Sequence, residues 1–471
     1  MNRPNILFVF SDQHRWCDMS CYGNKYVKTP NFDRFSEIAV KVNNCISNSP
    51  VCVPARGSLL TGLFPQKHGA FTNDLEIDFS LTGIADILNN NGYDTGYIGK
   101  WHLCGIPRDQ FIDEKRRLGF KTWKVANCNH SYLNCYYDDE NNNRNVVKGY
   151  EPEIFGDLAA DFLKSHDKTE PWALYLSFAT PHDPYLEIGK EYYDMYKDES
   201  LELRENATDL VMRSKSNYIN HEQMTENLKG YYGHISAIDK QFGNLLNILE
   251  ETDRLDNTII VYTSDHGDMF GSHGVTDKQS PYEESIHVPL LLYWKGHTIK
   301  GATDELIGLV DLPTSLLGMI GLKFPDKVSG KDIHEIFTSK DGKGLDECYI
   351  FDLYPCHQAY DKGYSAWRGI RSKQFTFVLN IDDNYNNKVL LLDNILFDNI
   401  LFDNINDPFQ MNNVADNIEY KKIKDDLMII LHKYINENDK LLSGDDYIRY
   451  SGKLEEFNKS QRYFRGIEIA P

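Results

Sequence analysis

Residues 52–62 read Cys-Val-Pro-Ala-Arg-Gly-Ser-Leu-Leu-Thr-Gly. Pro54 limits the backbone just after Cys52, and the Arg56–Leu60 run can start a helix there. A helix N-terminus beside a guanidinium makes a pocket for an anion, so Cys52 and Arg56 predict an anion site next to a thiol. Asp12-Gln13 and Asp265-His266 each follow an apolar run. Alone, Asp12 would cap a helix start. As two strand ends of one parallel sheet, Asp12-Gln13 and Asp265-His266 can converge as oxygen and imidazole ligands for a divalent cation. Lys100 and His102 stand two residues apart in Gly-Lys-Trp-His and project the same way from an extended segment. Lys100 suits a transferred anionic group, and His102 suits proton movement at a nucleophile.

These side chains need a frame. Ile6–Phe10, Thr95–Ile98, Ala173–Phe178, Ile259–Thr263 and Pro289–Trp294 are short apolar runs that predict strands buried on both faces. Between them, Ile235, Ile238, Phe242, Leu245, Leu246 and Leu249 form one helical stripe. Alternation of this kind predicts an α/β fold with a large, mainly parallel central sheet flanked by helices, and ligands beyond the carboxyl ends of its strands. Ser11-Asp12, Gly99-Lys100, Thr180–His182 and Ser264–His266 all follow predicted strands. Residues 124–160 and 183–228 read as long insertions over that sheet. After Leu345 the character changes: Trp367–Leu379 and Val389–Phe402 alternate like antiparallel strands, and Ile418–Asn436 reads as a terminal helix before a polar tail. The expected division is a catalytic domain over 1–345 and a smaller α+β domain over 346–471. Asp-Asn-Ile-Leu-Phe occurs at 393–397 and again at 398–402, a local duplication that lengthens a hairpin.

The 471 residues, 41% hydrophobic and 13% aromatic, are those of a globular protein. A net charge of −20 repels nucleic acid, so an anionic substrate needs a locally basic pocket or a bound cation. No apolar run approaches the roughly 20 residues that span a bilayer. The start, Met-Asn-Arg-Pro-Asn-Ile-Leu-Phe-Val-Phe, reads as a first strand and not as a signal peptide. Nine irregularly spaced cysteines do not form a disulfide framework, and a reducing cytoplasm is the expected location. Nothing in the sequence speaks to oligomeric state.

The Cys-x-Pro-x-Arg…Thr-Gly stretch closely resembles the signature of the formylglycine-dependent sulfatases, within the alkaline-phosphatase-like superfamily. Gly92–His102 resembles that family's second signature, and the resemblance covers residues 4–300 well. It implies that Cys52 is oxidised to formylglycine by a maturation enzyme, and that the hydrated aldehyde, seated on the metal, displaces an alcohol from sulfur. It further implies that His182, in Thr-Pro-His-Asp-Pro, protonates the leaving alcohol and that Lys278 binds the sulfate beside the leaving oxygen. Lys100 and Arg56 would stabilise the sulfuryl oxygens, His102 would take the proton that ejects sulfate, and Asn73 would orient the nucleophile or metal. Cys52 joins Asp12, Gln13, Asp265 and His266 around the ion. The family often has Asp-Asp and Asp-Asn where this chain has Asp-Gln and Asp-His, so calcium is expected first, with manganese or magnesium as alternatives. The expected activity is hydrolysis of a sulfate ester on a small molecule or glycan, with a sulfated sugar as default. The rival is a phosphonate or phosphate mono- or diester hydrolase of the same superfamily, whose metal site the Asp-Gln and Asp-His pairs resemble. A binding protein that kept the fold without activity would not need every one of these polar positions.

Overall fold

Four of the apolar runs, joined by Thr122–Ala126, form the centre of an eleven-stranded sheet in the computed structural model, which describes residues 3–166, 170–380 and 399–439. These five strands are β1 (Asn5–Asp12), β2 (Asp94–Lys100), β3 (Thr122–Ala126), β4 (Trp172–Pro181) and β5 (Thr258–Ser264). Their order in space is β5-β1-β4-β2-β3, and every adjacent pair is parallel. Toward both margins the pairing turns antiparallel. Leu290–Tyr293 pairs with β5 and with Val40–Ile46, while Asn134–Asp139 pairs with β3 and forms a hairpin with Arg144–Lys148. Gly301–Gly308 returns parallel to Val40–Ile46. The sheet is therefore mixed, and its parallel part is the part that carries the strand-end motifs.

Alternation along β1 shows why both faces must be covered. Ile6, Phe8 and Phe10 enter one core and Leu7 and Val9 the other, all fully buried or nearly so. The first face is covered in part by α1 (Cys52–Thr61) through Val53, Leu59 and Leu60. The second is covered by α2 (Glu151–Ser165) and α3 (His221–Glu251), with Phe155, Ala159, Ile238, Phe242 and Leu245 at the contact. The start of α3 lies well before the apolar stripe. Asn220 Oδ1 accepts from the Gln223 amide at 2.9 Å, and Gln223 Oε1 accepts from the Asn220 amide at 3.0 Å. That reciprocal cap starts a helix in polar sequence.

Residues 124–160 are not an insertion over the sheet but its continuation, ending in the first turns of α2. Their Asn, Tyr and Asp content suits edge strands with one wet face. Residues 183–228 hold a short helix at Lys190–Asp194 and a hairpin of Leu210–Ser214 with Asn217–Asn220 before α3. Farther on, Glu347–Asp352, Trp367–Ser372, Phe375–Asn380 and Ile400–Asp403 form a four-stranded antiparallel sheet. Its Tyr349, Phe351, Ile370, Phe377 and Leu401, with Leu427 and Leu431 of the helix Lys421–Asn438, share one core with the α1 layer. The first copy of the repeat, the Val389 end of its expected strand and the polar tail lie outside the described residues. Among the described residues no helix is long and apolar enough to cross a membrane.

One glycine fixes the exit of β2. Gly99 has φ +108°, and a Cβ there would lie 1.9 Å from the Ser177 carbonyl oxygen of β4. Gly99→Ala is expected to lower stability by about 2–4 kcal/mol, read as a fall in the urea midpoint, and to displace Lys100. An unchanged midpoint would show that the two strands move apart freely.

Candidate active site

Cys52 is the first residue of α1, a helix whose ten residues are all buried. Val51 supplies no capping side chain. Asn73 does so from a distant turn, its Oδ1 accepting from the Val53 amide at 3.1 Å. One orphan N–H of the helix start is thereby satisfied, and residue 52 is held in place. The expected role of Asn73, orienting the nucleophile or the metal, is thus met here by a contact one residue beyond Cys52 and none to the Cys52 side chain.

Ser11 of β1 pairs with Ser264 of β5, so Asp12 and Asp265 emerge side by side. With Cys52 and His266 they bring four ligand atoms within 4.8 Å of one another, all buried. Cys52 Sγ stands 3.2 Å from His266 Nε2 and 3.7 Å from Asp12 Oδ1. His266 Nδ1 lies 2.9 Å from the Gly267 carbonyl oxygen, which only accepts. In the neutral ring the hydrogen therefore sits on Nδ1, and the Nε2 lone pair faces the carboxylates at 3.6 Å. Two carboxylates, an imidazole lone pair and position 52 are a donor set that fits a divalent cation. Gln13, the remaining expected ligand, borders this quartet, its backbone amide donating to Asp265 Oδ1 at 3.1 Å. Its Nε2 donates to Asp268 Oδ2 at 2.6 Å and its Oε1 accepts from Lys278 Nζ at 2.7 Å.

Arg56 is fully buried and does not face an anion pocket, contrary to the sequence expectation. Its Nε donates to Asp265 Oδ2 and one Nη to Asp12 Oδ2, both at 2.9 Å. The other Nη donates to Ser177 Oγ at 2.6 Å and to the Lys100 carbonyl at 2.9 Å. Two buried carboxylates need a paired cation more than a substrate does, because an unpaired buried charge is strongly destabilising. Burial works to raise the Asp12 pKa, yet Lys100 and Arg56 hold it well below the usual carboxylate range. Asp265, pushed up by burial and by the charge of Asp12, reaches about 6. One of two adjacent carboxylates must rise unless further positive charge joins them.

Lys100, the last residue of β2, donates from Nζ to Asp12 Oδ2 at 2.6 Å. His182 follows β4, and its Nε2 accepts from Lys278 Nζ at 2.7 Å while its Nδ1 donates to the Asp183 carbonyl at 2.8 Å. Burial, then the Lys278 charge, keep the His182 pKa well below 6.5 and the ring neutral. His102 lies past the strand with φ +58°, not within an extended segment as expected. Burial opposes charge on its ring, but Cys128 and Asp74 outweigh that and push its pKa up to about 10.

Two residues here have no role in the site as read from the sequence. Cys128 and His130 follow β3; His130 Nε2 is 3.4 Å from Lys100 Nζ and 3.6 Å from Cys128 Sγ, and its ring stacks on His182 at 4.4 Å. The strand-end rule that found Lys100 applies equally to them, but the polar surroundings hid β3. Glu283 and Glu284 are structural, pairing with Arg371 and Arg204. A separate cavity of about 460 Å³ beside Trp16 and Phe409 has its guanidiniums already paired, Arg15 with Asp18 and Arg204 with Glu284.

Glu151, in the first turn of α2, steadies the approach to His182. Its carboxylate accepts from the Ala179 amide at 2.8 Å and from Thr180 Oγ1 at 3.2 Å. Burial raises its pKa from 4.5 to about 7. The folded value exceeds the unfolded one, so this group's stability contribution is full below the unfolded pKa and is lost as pH rises through the folded pKa. The loss is on the order of 3 kcal/mol. Glu151→Gln keeps an acceptor for Ala179, and it is expected to raise Tm over the native protein at pH 8 but not at pH 5. Equal shifts at both pH values would show an ordinary carboxylate.

The Sulfatase family model matches residues 4–322, and a model described as N-sulphoglucosamine sulphohydrolase, C-terminal, matches residues 271–437. An ulvan-active sulfatase of Formosa agariphila is 34% identical over 455 residues, spanning 95% of this chain and 84% of the relative. An N-acetylglucosamine-6-O-sulfatase of Bacteroides thetaiotaomicron is 26% identical over 93% of this chain and 88% of its own length. The solved yidJ sulfatase of Bacteroides fragilis has a TM-score of 0.82 at 27% identity, covering 93% of this chain and 97% of that one. A family match over most of the chain, and a relative this similar along nearly all of it, settle the matter: the chain belongs to the sulfatase family and is a hydrolase of sulfate esters.

Proposed function

We propose that this protein removes sulfate from a sulfated sugar, using formylglycine made from Cys52 and one divalent cation held by Asp12, residue 52, Asp265 and His266. Calcium is the first candidate, ahead of manganese and magnesium. The observation that carries the reading is the meeting of Cys52, at the N-terminus of a buried helix, with two strand-tip carboxylates and an imidazole within 4.8 Å. When present, the hydrated carbonyl supplies a hydroxyl that attacks sulfur, and the cation supplies Lewis acidity. Lys100 and Lys278 place ammonium charge where the sulfuryl oxygens gain negative charge, usually the largest catalytic contribution. Lys278 directs a hydrogen at His182 Nε2 across 2.7 Å, so that pair has a proton for the departing alcohol oxygen. His102 faces the remaining hydroxyl at residue 52; its ring, whose charge Cys128 and Asp74 favour, first releases a proton to water and then takes the one from that hydroxyl. Arg56 works through Asp12 and Asp265, fixing their spacing, while Gln13 steadies Lys278.

The ulvan-active and N-acetylglucosamine-6-O-sulfatase relatives support a sugar as the alcohol. Nine free thiols suit a reducing compartment, in which a cytoplasmic maturation enzyme would act on Cys52. His266 as ligand also favours the phosphonate or phosphate ester reading. Rates on aryl sulfate and phenyl phosphonate separate the two, and a large preference for the phosphonate reverses the assignment. The direct test is mass spectrometry of the tryptic peptide carrying residue 52, beside a panel of sulfated mono- and disaccharides. Formylglycine and release of sulfate from one sugar are expected; an active preparation with only unmodified cysteine overturns the reading.

A further inference from the structure

His102 is 1% exposed, and neither of its ring nitrogens has a hydrogen-bond partner. A buried imidazole left unpaired is costly, so the groups that surround it carry meaning. Asp74 Oδ1 stands 3.7 Å from His102 Nε2 and is itself buried. Arg108 grips that carboxylate with both prongs, Nε to Oδ1 at 2.7 Å and Nη2 to Oδ2 at 2.9 Å. A two-point guanidinium contact fixes the plane of a carboxylate as well as its place. Burial would raise the Asp74 pKa, but the nearby His102 ring and the Arg108 charge hold it low. The adjacent residue, Asn73, receives the Val53 amide beside Cys52. One dipeptide therefore holds the helix start that presents residue 52 with its first side chain, and faces His102 with its second.

We propose that Asp74, clamped by Arg108, is the positioning residue for His102, and that the Asn73-Asp74 turn sets the spacing between residue 52 and its proton acceptor. The inference rests on the sulfatase reading above. In the step served, one proton passes from the hydroxyl at residue 52 to the His102 nitrogen away from Asp74, and it leaves to water after sulfate departs. Asp74 stays ionised and stabilises the imidazolium.

The test compares native protein with Asp74→Asn, Asp74→Glu and Arg108→Lys, all with residue 52 converted, on an aryl sulfate. For Asp74→Asn, kcat is expected to fall about 100-fold, while KM stays within about threefold. The first equivalent of alcohol should still appear at the native rate, so a burst emerges that the native enzyme lacks. Asp74→Glu is expected to recover part of kcat, and a crystal structure of Asp74→Asn should show the His102 ring turned away. An unmoved ring with kcat near native overturns the proposal, as does equal slowing of the first and later turnovers. If Asp74→Asn does not fold, Arg108→Lys decides by the same readouts, because it keeps the charge and loses the two-point grip. Native protein that hydrolyses no sulfate ester, or that keeps an unmodified Cys52 while active, would instead sink the sulfatase reading and this inference with it.

Discussion

Cys52→Ala is expected to cost about 10⁵-fold or more in kcat toward any sulfate ester the native protein accepts, the scale seen when a nucleophile is lost. The side chain is 1% exposed at the start of a helix that is buried throughout, so alanine fits without a new polar contact. Tm should accordingly stay close to native, and the loss is chemical. The thiol is no substitute for its oxidised form. Burial and Asp12 oppose its ionisation, yet Lys278, Lys100 and His266 overcome them and hold the pKa well below 9. The resulting thiolate has no second hydroxyl with which to expel sulfate. Steady-state rates on purified variant and native protein decide the matter, with the mass of peptide 52 recorded for each. Retention of more than about one per cent of native activity by the alanine variant would place the nucleophile elsewhere.

Removal of the cation is expected to be nearly as severe. Asp12 and Asp265 face one another across a space that Arg56 serves from one side only, and the rise of Asp265 to about 6 marks charge still to be balanced. Dialysis against a chelator should lower kcat by about 10³-fold and lower Tm, because a ligand at 1,000 times its Kd adds about 4 kcal/mol to stability. Restoring calcium, manganese or magnesium singly identifies the native ion by which of them returns both rate and Tm. Asp265→Asn should reproduce the chelated state, with metal content measured by elemental analysis. Full activity in protein shown to be metal-free would dissolve the quartet as a cation site.

The positions of these groups were legible because parallel strands deliver their carboxyl ends to one edge. Asp12, Lys100, His182 and Asp265 all come from that rule, and the structure brings Lys100 to Asp12 and Lys278 to His182. What escaped was governed by distant partners. Arg56 turns to carboxylates on β1 and β5, and no local pattern around residue 56 reports where those tips lie. Val40–Ile46 alternates with Lys41, Asn43 and Asn44, and the Asn134–Asp139 hairpin is polar. Neither shows the continuous apolar run by which buried strands are recognised, so β3 and the Cys128–His130 loop went unread with them. Asp74 and Arg108 lie in separate loops, and only folding makes them a pair.

The burial of the first α1 turn has a consequence for the life history of the protein. Once the chain has collapsed, the sulfur of Cys52 lies at 1% exposure beneath strand tips and lysines, beyond the reach of any second enzyme. If residue 52 becomes formylglycine as proposed, the oxidation of its Cβ, with loss of the sulfur, must happen on a nascent or still extended chain, in competition with collapse. On that reading, molecules that fold first would be stranded, stable but inert, and the active fraction of a preparation would record the outcome of that race.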